Sequence, residues 1–204
     1  MSEFQSFFDM SHFVVKRGIN FWMTRVTNEI YDPVSGKLIG SMRTVRTWKQ
    51  FWQGYFFGFR HSSRTVELLA IRDNQEDAVL LRLKRGAVFL HQEVQVETRH
   101  GKPIGTLKTL NDFSRTEFAI YDCDGTFVAK LNGNWRQRQF QYLNEDGRQI
   151  GTLCDDWDGL KNEVFSGASF YSIRFDESQV DDQQTRALLL AGCIGYWFFF
   201  KIYS

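Results

Sequence analysis

Residues 187–200 read ALLLAGCIGYWFFF, fourteen consecutive residues without a charged or strongly polar side chain. Asp181 and Asp182 precede this run and Lys201 follows it, which suits the dipole of a helix from about residue 182 to residue 201. A helix that is apolar on every side needs a protein core or a membrane around it. Its apolar run covers roughly 21 Å at a rise of ~1.5 Å per residue, against a hydrocarbon layer of about 30 Å. We therefore expect a core helix over residues 182–201, and a single C-terminal transmembrane span is the alternative.

Three segments upstream share one pattern: GKLIGS at 36–41, GKPIGT at 101–106 and GRQIGT at 147–152. In each, the first glycine follows turn residues and can adopt the positive φ that a tight hairpin requires. The second glycine stands inside the next strand, where it predicts a β-bulge or a close approach of a neighbouring backbone. The related segment DCDG at 122–125 lacks the downstream carboxylates of a calcium loop, so we predict a fourth hairpin turn there.

Between the turns, apolar and polar residues alternate. Leu81 and Leu83, for example, alternate with Arg82 and Lys84. About a dozen short strands can be counted in this way, which is typical of an antiparallel sandwich or barrel. A closed barrel of that size is too wide for its own side chains to fill, since about eight strands already give a filled interior. The apolar helix that follows the last strand would fill the remaining space.

The composition excludes several classes of protein. The chain has 204 residues, of which 43% are hydrophobic, and only two are proline, so it is not disordered for most of its length. Its 25 basic and 24 acidic residues give a net charge of +1, which offers no electrostatic case for a nucleic-acid partner. Cys123, Cys154 and Cys193 form neither a disulfide framework nor a zinc motif. With no signal peptide recognisable at the N-terminus, we expect a reducing, cytoplasmic setting.

Four segments together resemble the phospholipid scramblase and tubby C-terminal-like superfamily, which includes the plant LURP-one-related proteins. They are YDPVSGKLIG at 31–40, the hairpin DGRQIG at 146–151, FYSIRF at 170–175 and the apolar tail from Arg186 to Phe200. The resemblance covers about residues 21–200 and implies a twelve-stranded barrel around a central C-terminal helix. We accordingly predict one mainly-β domain over residues 1–204, a closed antiparallel barrel of about twelve strands, with a loosely held arm at residues 1–12.

The resemblance also implies where a calcium site would lie. Calcium-dependent scramblases carry two aspartates just before the segment that corresponds to Tyr171–Phe175, and here those positions are Gly167 and Ser169. Glycine offers no side-chain oxygen, whereas calcium takes six to eight oxygen ligands. We therefore expect no calcium site and no other cofactor. The nearby acidic residues are weaker candidates for a cation, and a solvated turn with a helix N-terminus is the favoured interpretation: Asp176, Glu177, Asp181 and Asp182.

Charge is unevenly distributed along the chain. Residues 33–66 contain six basic and no acidic residues, together with seven aromatic residues, whereas residues 142–182 contain ten acidic and three basic residues. Basic residues interleaved with aromatic rings suit contact with anionic lipid headgroups. The alternative is that the rings face the barrel core and the cations alternate outward. The candidate lipid-contacting residues are Arg43, Arg46, Trp48, Lys49, Trp52, Arg60 and Arg64.

No catalytic motif is recognisable. The four histidines, His12, His61, His91 and His100, show no metal-binding spacing. Cys123 or Cys154 could pair with a distant histidine as a nucleophile, but lone cysteines of this kind are mostly small buried hydrophobic residues. We therefore expect a non-enzymatic protein that binds anionic phospholipids at the inner face of a membrane. The alternatives are phospholipid translocation with the C-terminal helix in the bilayer, and a soluble adaptor barrel that binds a protein or a small ligand.

Overall fold

The computed structural model describes residues 3–17, 27–45, 63–72, 75–86, 93–110, 117–134, 139–154 and 170–200. They form two α-helices, α1 (Glu3–Phe8) and α2 (Gln183–Gly195), and a π-helical turn (Tyr196–Phe200) that continues α2. The twelve strands are β1 (His12–Arg17), β2 (Thr27–Tyr31), β3 (Leu38–Val45), β4 (Arg64–Arg72), β5 (Gln75–Arg85), β6 (Glu93–Thr98), β7 (Pro103–Thr109), β8 (Glu117–Asp122), β9 (Phe127–Asn134), β10 (Gln139–Leu143), β11 (Gln149–Cys154) and β12 (Phe170–Phe175).

The strands form one closed antiparallel barrel. Each strand pairs with the next along the chain, and β1 pairs with β12 to close the sheet, with Val15 opposite Tyr171. Among the twelve described strands, closure leaves no unpaired sheet edge. The prediction of a closed, twelve-stranded antiparallel barrel with a C-terminal helix is therefore confirmed.

The two ends of the barrel are built differently. One end, called here the turn end, holds the connections 32–37, 99–102, 122–126 and 144–148, and the segment 176–182 that leads into α2. The opposite end, called here the far end, holds the strand termini Arg17, Val45, Arg64 and Arg85. Helix α2 begins at the turn end, and Tyr196 just beyond it packs against Phe118 and Phe140 near the far end.

The repeated hairpin has the conformation that its glycines predict. The turn glycines Gly36, Gly101, Gly125 and Gly147 all have positive φ, between 67° and 82°. In each GxxIG segment a β-bulge skips the isoleucine, as where Val96 pairs with Gly105 and the next residue pairs with Pro103. Ile104 and Ile150 are both 5% exposed and belong to the core. The bulge therefore adds an apolar side chain to the core near the turn end.

The N-terminus differs from our expectation. Instead of a loosely held arm over residues 1–12, the described residues form α1 and the start of β1. Phe7 and Phe8 of α1 are buried, and the ring of Phe7 stacks on Phe13 with centroids 5.5 Å apart. Arg186 of α2 donates hydrogen bonds to the carbonyl oxygens of Phe8 and Asp9. Apolar burial and these bonds offset the entropy that a free arm would retain.

Helix α2 is a core element. Every residue from Ala187 to Gly195 is buried, and these side chains belong to the same apolar cluster as the inward side chains of the strands. The buried Tyr142 of β10 donates its hydroxyl to the Leu189 carbonyl at 2.8 Å. Asp182 caps the helix by accepting a hydrogen bond from the Thr185 amide. Neither α-helix of the described residues combines the length and apolar character needed to cross a bilayer.

Candidate functional site

A row of alternating charges crosses the outer face of the barrel. Arg43, Glu67 and Arg82 lie directly opposite one another on β3, β4 and β5. Glu67 accepts from Arg43 at 2.9 Å and from Arg82 at 2.9 Å, and its side chain is only 9% exposed. Lys84 extends the row diagonally to Glu97 of β6. Opposite charges placed directly across strands stabilise the sheet, so Arg43 has a structural partner as well as an exposed surface.

The barrel separates charge between its two ends. The described segments of the turn end contain nine acidic and four basic residues, which gives a net charge of −5. These segments are 32–37, 99–102, 122–126, 144–148 and 176–182. The halves of the described strands nearest the far end carry four acidic and eight basic residues, a net charge of +4. The eight basic residues are Lys16, Arg17, Arg43, Arg64, Arg82, Lys84, Arg85 and Lys108.

The predicted lipid-contacting residues fall into two groups. Arg43 and Arg64 are described, and both lie at the far end, on β3 and at the start of β4. The other five lie outside the described residues: Arg46, Trp48, Lys49, Trp52 and Arg60. Residues 46–62 lie between the end of β3 at Val45 and the start of β4 at Arg64. Both strand ends are at the far end, where Val45 pairs with Thr65. The segment singled out from the sequence therefore begins and ends at the basic end of the barrel.

Arg85 is a basic residue of the far end that is not among the residues predicted from the sequence. It lies directly opposite Arg64, and only 5% of it is exposed. On β5 it follows Leu81 and Leu83, which are fully buried, at the same two-residue spacing. That spacing places it on the inner face, since alternate residues of a strand share one face. The alternation was visible in the sequence, but only the register of the strands joins Arg85 to Arg64.

Three of the four acidic candidates for a cation have hydrogen-bond partners, and the fourth, Asp181, lies exposed in the segment before α2. Asp176 accepts hydrogen bonds from the Ser178 amide and hydroxyl and from Gln179, and these bonds, that of the Ser178 side chain first, lower its pKa. Glu177 accepts a hydrogen bond from Ser11, and Asp182 caps α2. Within the described ranges no three His, Cys, Asp or Glu residues are grouped so as to hold a metal ion. The family aspartate positions, Gly167 and Ser169, lie outside those ranges.

The candidate cysteine nucleophiles differ in their exposure. Cys123 is exposed in the β8–β9 turn and Cys154 is half-buried at the end of β11, whereas Cys193 is buried in α2. Burial raises the pKa of the Cys193 thiol to about 12, which keeps it protonated and unreactive. The described histidines have other partners: His12 contacts Ser172 at 3.0 Å, and His100 accepts from Arg99. His61 and His91 lie outside the described residues.

A surface cavity of about 450 Å³ opens at the turn end, beside the N-terminus of α2. Its lining includes Phe127, Ile150 and the carboxylate residue Asp182. The helix N-terminus would attract an anion, but the Asp182 carboxylate already accepts the Thr185 amide there. The cavity is therefore a poor site for a phosphate group.

The fold and the charge distribution define a class of protein: a closed twelve-stranded antiparallel barrel with an apolar C-terminal helix in its core and one basic end. A family model described as Scramblase matches residues 58–201, which is more than half of the 204 residues. The chain belongs to the Scramblase family, and the resemblance seen in its sequence is confirmed. Neither the curated proteins nor the solved structures compared with the chain gave a match.

Proposed function

We propose that this protein is a non-enzymatic, peripheral binder of anionic phospholipids at the cytoplasmic face of a membrane. The observation that carries the proposal is the separation of charge between the ends of the barrel, with a net +4 on the described strand halves of the far end and −5 on the described turn-end segments. Membership of the Scramblase family supports a lipid-related function.

The charge separation supports one orientation on a membrane. Each basic residue near an anionic surface contributes about 1 kcal/mol, and this attraction falls off within a Debye length. A far end with more cations than anions is drawn to the surface, while the acidic turn end is repelled. The barrel would therefore bind with its far end toward the membrane, which also brings both ends of the 46–62 segment to the lipid.

Vesicle flotation tests this proposal. The wild-type protein is mixed with vesicles of phosphatidylcholine alone, or of phosphatidylcholine with phosphatidylserine, at low and at high salt. We expect recovery with the serine-containing vesicles only, and a loss of recovery as salt rises. Equal recovery on both kinds of vesicle would contradict the electrostatic mechanism.

A matched pair of variants tests the orientation. Lys84→Glu with Lys108→Glu reverses two exposed cations at the far end, and Lys37→Glu with Arg148→Glu reverses two exposed cations at the turn end. Both pairs change the net charge equally. We expect the far-end pair to weaken vesicle binding at least about tenfold, and the turn-end pair to leave it within about twofold. Equal weakening would show that net charge, and not the far end, determines binding.

A further inference from the structure

We propose that the cavity at the turn end is a binding site for one alkylammonium group, of the kind that a soluble amine or a lysine side chain carries. The inference goes beyond the proposed function and does not depend on it, because that function uses the far end of the barrel. The ligand would reach the turn end from the aqueous side, whether or not the far end is on a membrane.

The cavity has the size and the apolar surface that a small ligand needs. Its volume is about 450 Å³, within the range of roughly 300 to 1,000 Å³ that is usual for ligand pockets. The apolar part of its lining is Phe127, Val128 and Ile150. Ile150 is the residue that the β-bulge of the 147–152 hairpin skips and turns toward the core. The bulge therefore supplies apolar surface to the cavity as well as to the core.

The polar part of the lining offers hydrogen-bond acceptors. Asp182 accepts the Thr185 amide with its Oδ1 atom, and its Oδ2 atom has no hydrogen bond to any described residue. Gln179 donates from its Nε2 atom to Asp176, which leaves its Oε1 atom as an acceptor. The Thr185 hydroxyl supplies a further oxygen. A ligand that donates hydrogen bonds would therefore find acceptors on three residues of the cavity.

The charge around the cavity favours a cation. The described turn-end segments carry a net charge of −5. Hydrogen bonds, that of the Ser178 side chain first, lower the pKa of Asp176, so the carboxylate beside Gln179 is ionised at neutral pH. The N-terminus of α2 opposes a cation, but its partial charge of about +0.5 is smaller than the full charge of the Asp182 carboxylate. The cavity therefore attracts a positive group and repels a negative one.

An alkylammonium group matches both parts of the lining. Its ammonium group has three N–H donors and no acceptor, which suits the oxygen atoms of Asp182, Gln179 and Thr185. Its hydrocarbon stem would lie on Phe127 and Ile150, where the burial of apolar surface adds to affinity. A metal ion would make no use of the apolar lining, and within the described ranges no three His, Cys, Asp or Glu residues are grouped to hold one.

The test titrates the full chain with small probes and follows the amide NMR signals of Asn144 and Thr185, which line the cavity. Pentylammonium carries both the charge and the stem, the ammonium ion carries the charge alone, and 1-pentanol carries the stem alone. Acetyl-alanyl-lysyl-alanine amide presents the same alkylammonium group on a peptide. We expect pentylammonium to bind more tightly than the ammonium ion and more tightly than 1-pentanol, because only pentylammonium uses both parts of the lining.

Two variants separate the cavity from the general charge of the turn end. Asp182→Asn removes the charge but keeps the helix cap, because asparagine caps a helix about as well as aspartate does. Asp181→Asn makes the same change on the adjacent residue, which is not part of the described lining. We expect Asp182→Asn to weaken pentylammonium binding about fivefold, and Asp181→Asn to weaken it less than about twofold. Thermal unfolding shows that both variants are folded.

The probes also distinguish the two sources of the ligand. Binding of the peptide at least as tightly as pentylammonium identifies a lysine side chain, and binding of pentylammonium alone identifies a soluble amine. The inference is wrong if pentylammonium leaves both amide signals unchanged, if 1-pentanol or the ammonium ion binds as tightly, or if a folded Asp182→Asn binds like wild type. If Asp182→Asn unfolds, the comparison of the three small probes on wild-type protein decides the question. None of these results bears on vesicle flotation, which tests the proposed function separately.

Discussion

His12 connects the first and the last strand through its imidazole. Its Nε2 atom is 3.0 Å from the Ser172 hydroxyl, and Arg174 donates its Nε hydrogen to the same atom at 3.3 Å. Nε2 therefore acts as an acceptor, which requires the neutral imidazole. Burial, and next the positive charge of Arg174, lower the pKa of His12, while Asp32 opposes the shift. The closure of the barrel thus includes a contact that depends on pH.

The sign of this dependence follows from the lowered pKa. At pH values above the ordinary His12 pKa of 6.5, His12 is neutral in both the folded and the unfolded state. As pH falls below that value, the unfolded chain takes up a proton more readily than the folded one, so stability is lost. We expect the free energy of unfolding, measured in urea between about pH 7.5 and about pH 5.5, to fall less in His12→Gln than in wild type.

Gln141→Ala is the control, because Gln141 is an exposed residue of β10 with no titratable group, and its replacement should leave the wild-type pH dependence unchanged. An identical fall of stability in His12→Gln and in wild type would show that the closure contact does not titrate in this range.

At the scale of elements, the six residues of the GxxIG hairpin contain a tight turn, a β-bulge and a close contact between two backbones. Gly101 has φ +79, and nothing but the flexible end of Glu97 approaches its position, whereas Gly105 lies against its neighbours. A Cβ atom at Gly105 would be 2.3 Å from the Tyr121 carbonyl oxygen and 2.6 Å from the Leu188 side chain. The first glycine is required by backbone conformation, and the second by contact with the β8 backbone and α2.

We therefore expect the two kinds of glycine to respond differently to alanine. Gly105→Ala should lower the free energy of unfolding by about 3 kcal/mol, because the carbonyl it meets belongs to a paired strand that cannot move freely. Gly125→Ala, at φ +82 with no atom within 4 Å, should cost only about 1 kcal/mol of backbone strain. Urea unfolding of both variants measures the difference, and equal effects would contradict the close packing of β7 on α2.

At the scale of the whole molecule, the barrel depends on α2 for its interior. Twelve strands enclose more space than their own side chains fill, and the buried residues of α2 occupy it together with the π-helical turn. The contact from Tyr142 to the Leu189 carbonyl fixes the helix against the wall. Removal of the helix would expose an apolar inner surface on most of the strands.

We expect a chain that ends at Arg186 to lose its cooperative unfolding transition and its near-ultraviolet circular dichroism, and to bind a hydrophobic dye. Ile194→Ala provides a graded control, because it removes part of one buried side chain and should cost about 2 to 5 kcal/mol while unfolding stays cooperative. A shortened chain that still unfolds cooperatively, with a native spectrum, would show that the barrel is stable without its helix.

Much of the fold could be predicted because its signals are local. The positive φ of Gly36, Gly101 and Gly147 follows from the sterics of a tight turn, and the apolar run at 187–200 predicts a buried helix from its own composition. The burial of α1 could not be predicted, because α1 is held in the core by contacts with Phe13 and Arg186, which lie on other elements.

The strands, their turns, the helix and the uneven charge along the chain could be predicted from the sequence, since each depends on residues close to one another in the chain. Which charges share an end of the barrel depends on how the strands pair in three dimensions. Antiparallel pairing sends every second connection to the same end, so distant segments combine into an acidic turn end and a basic far end. The pairing of Arg64 with Arg85 has the same origin, because the register of β4 and β5 and not their spacing places two cations side by side.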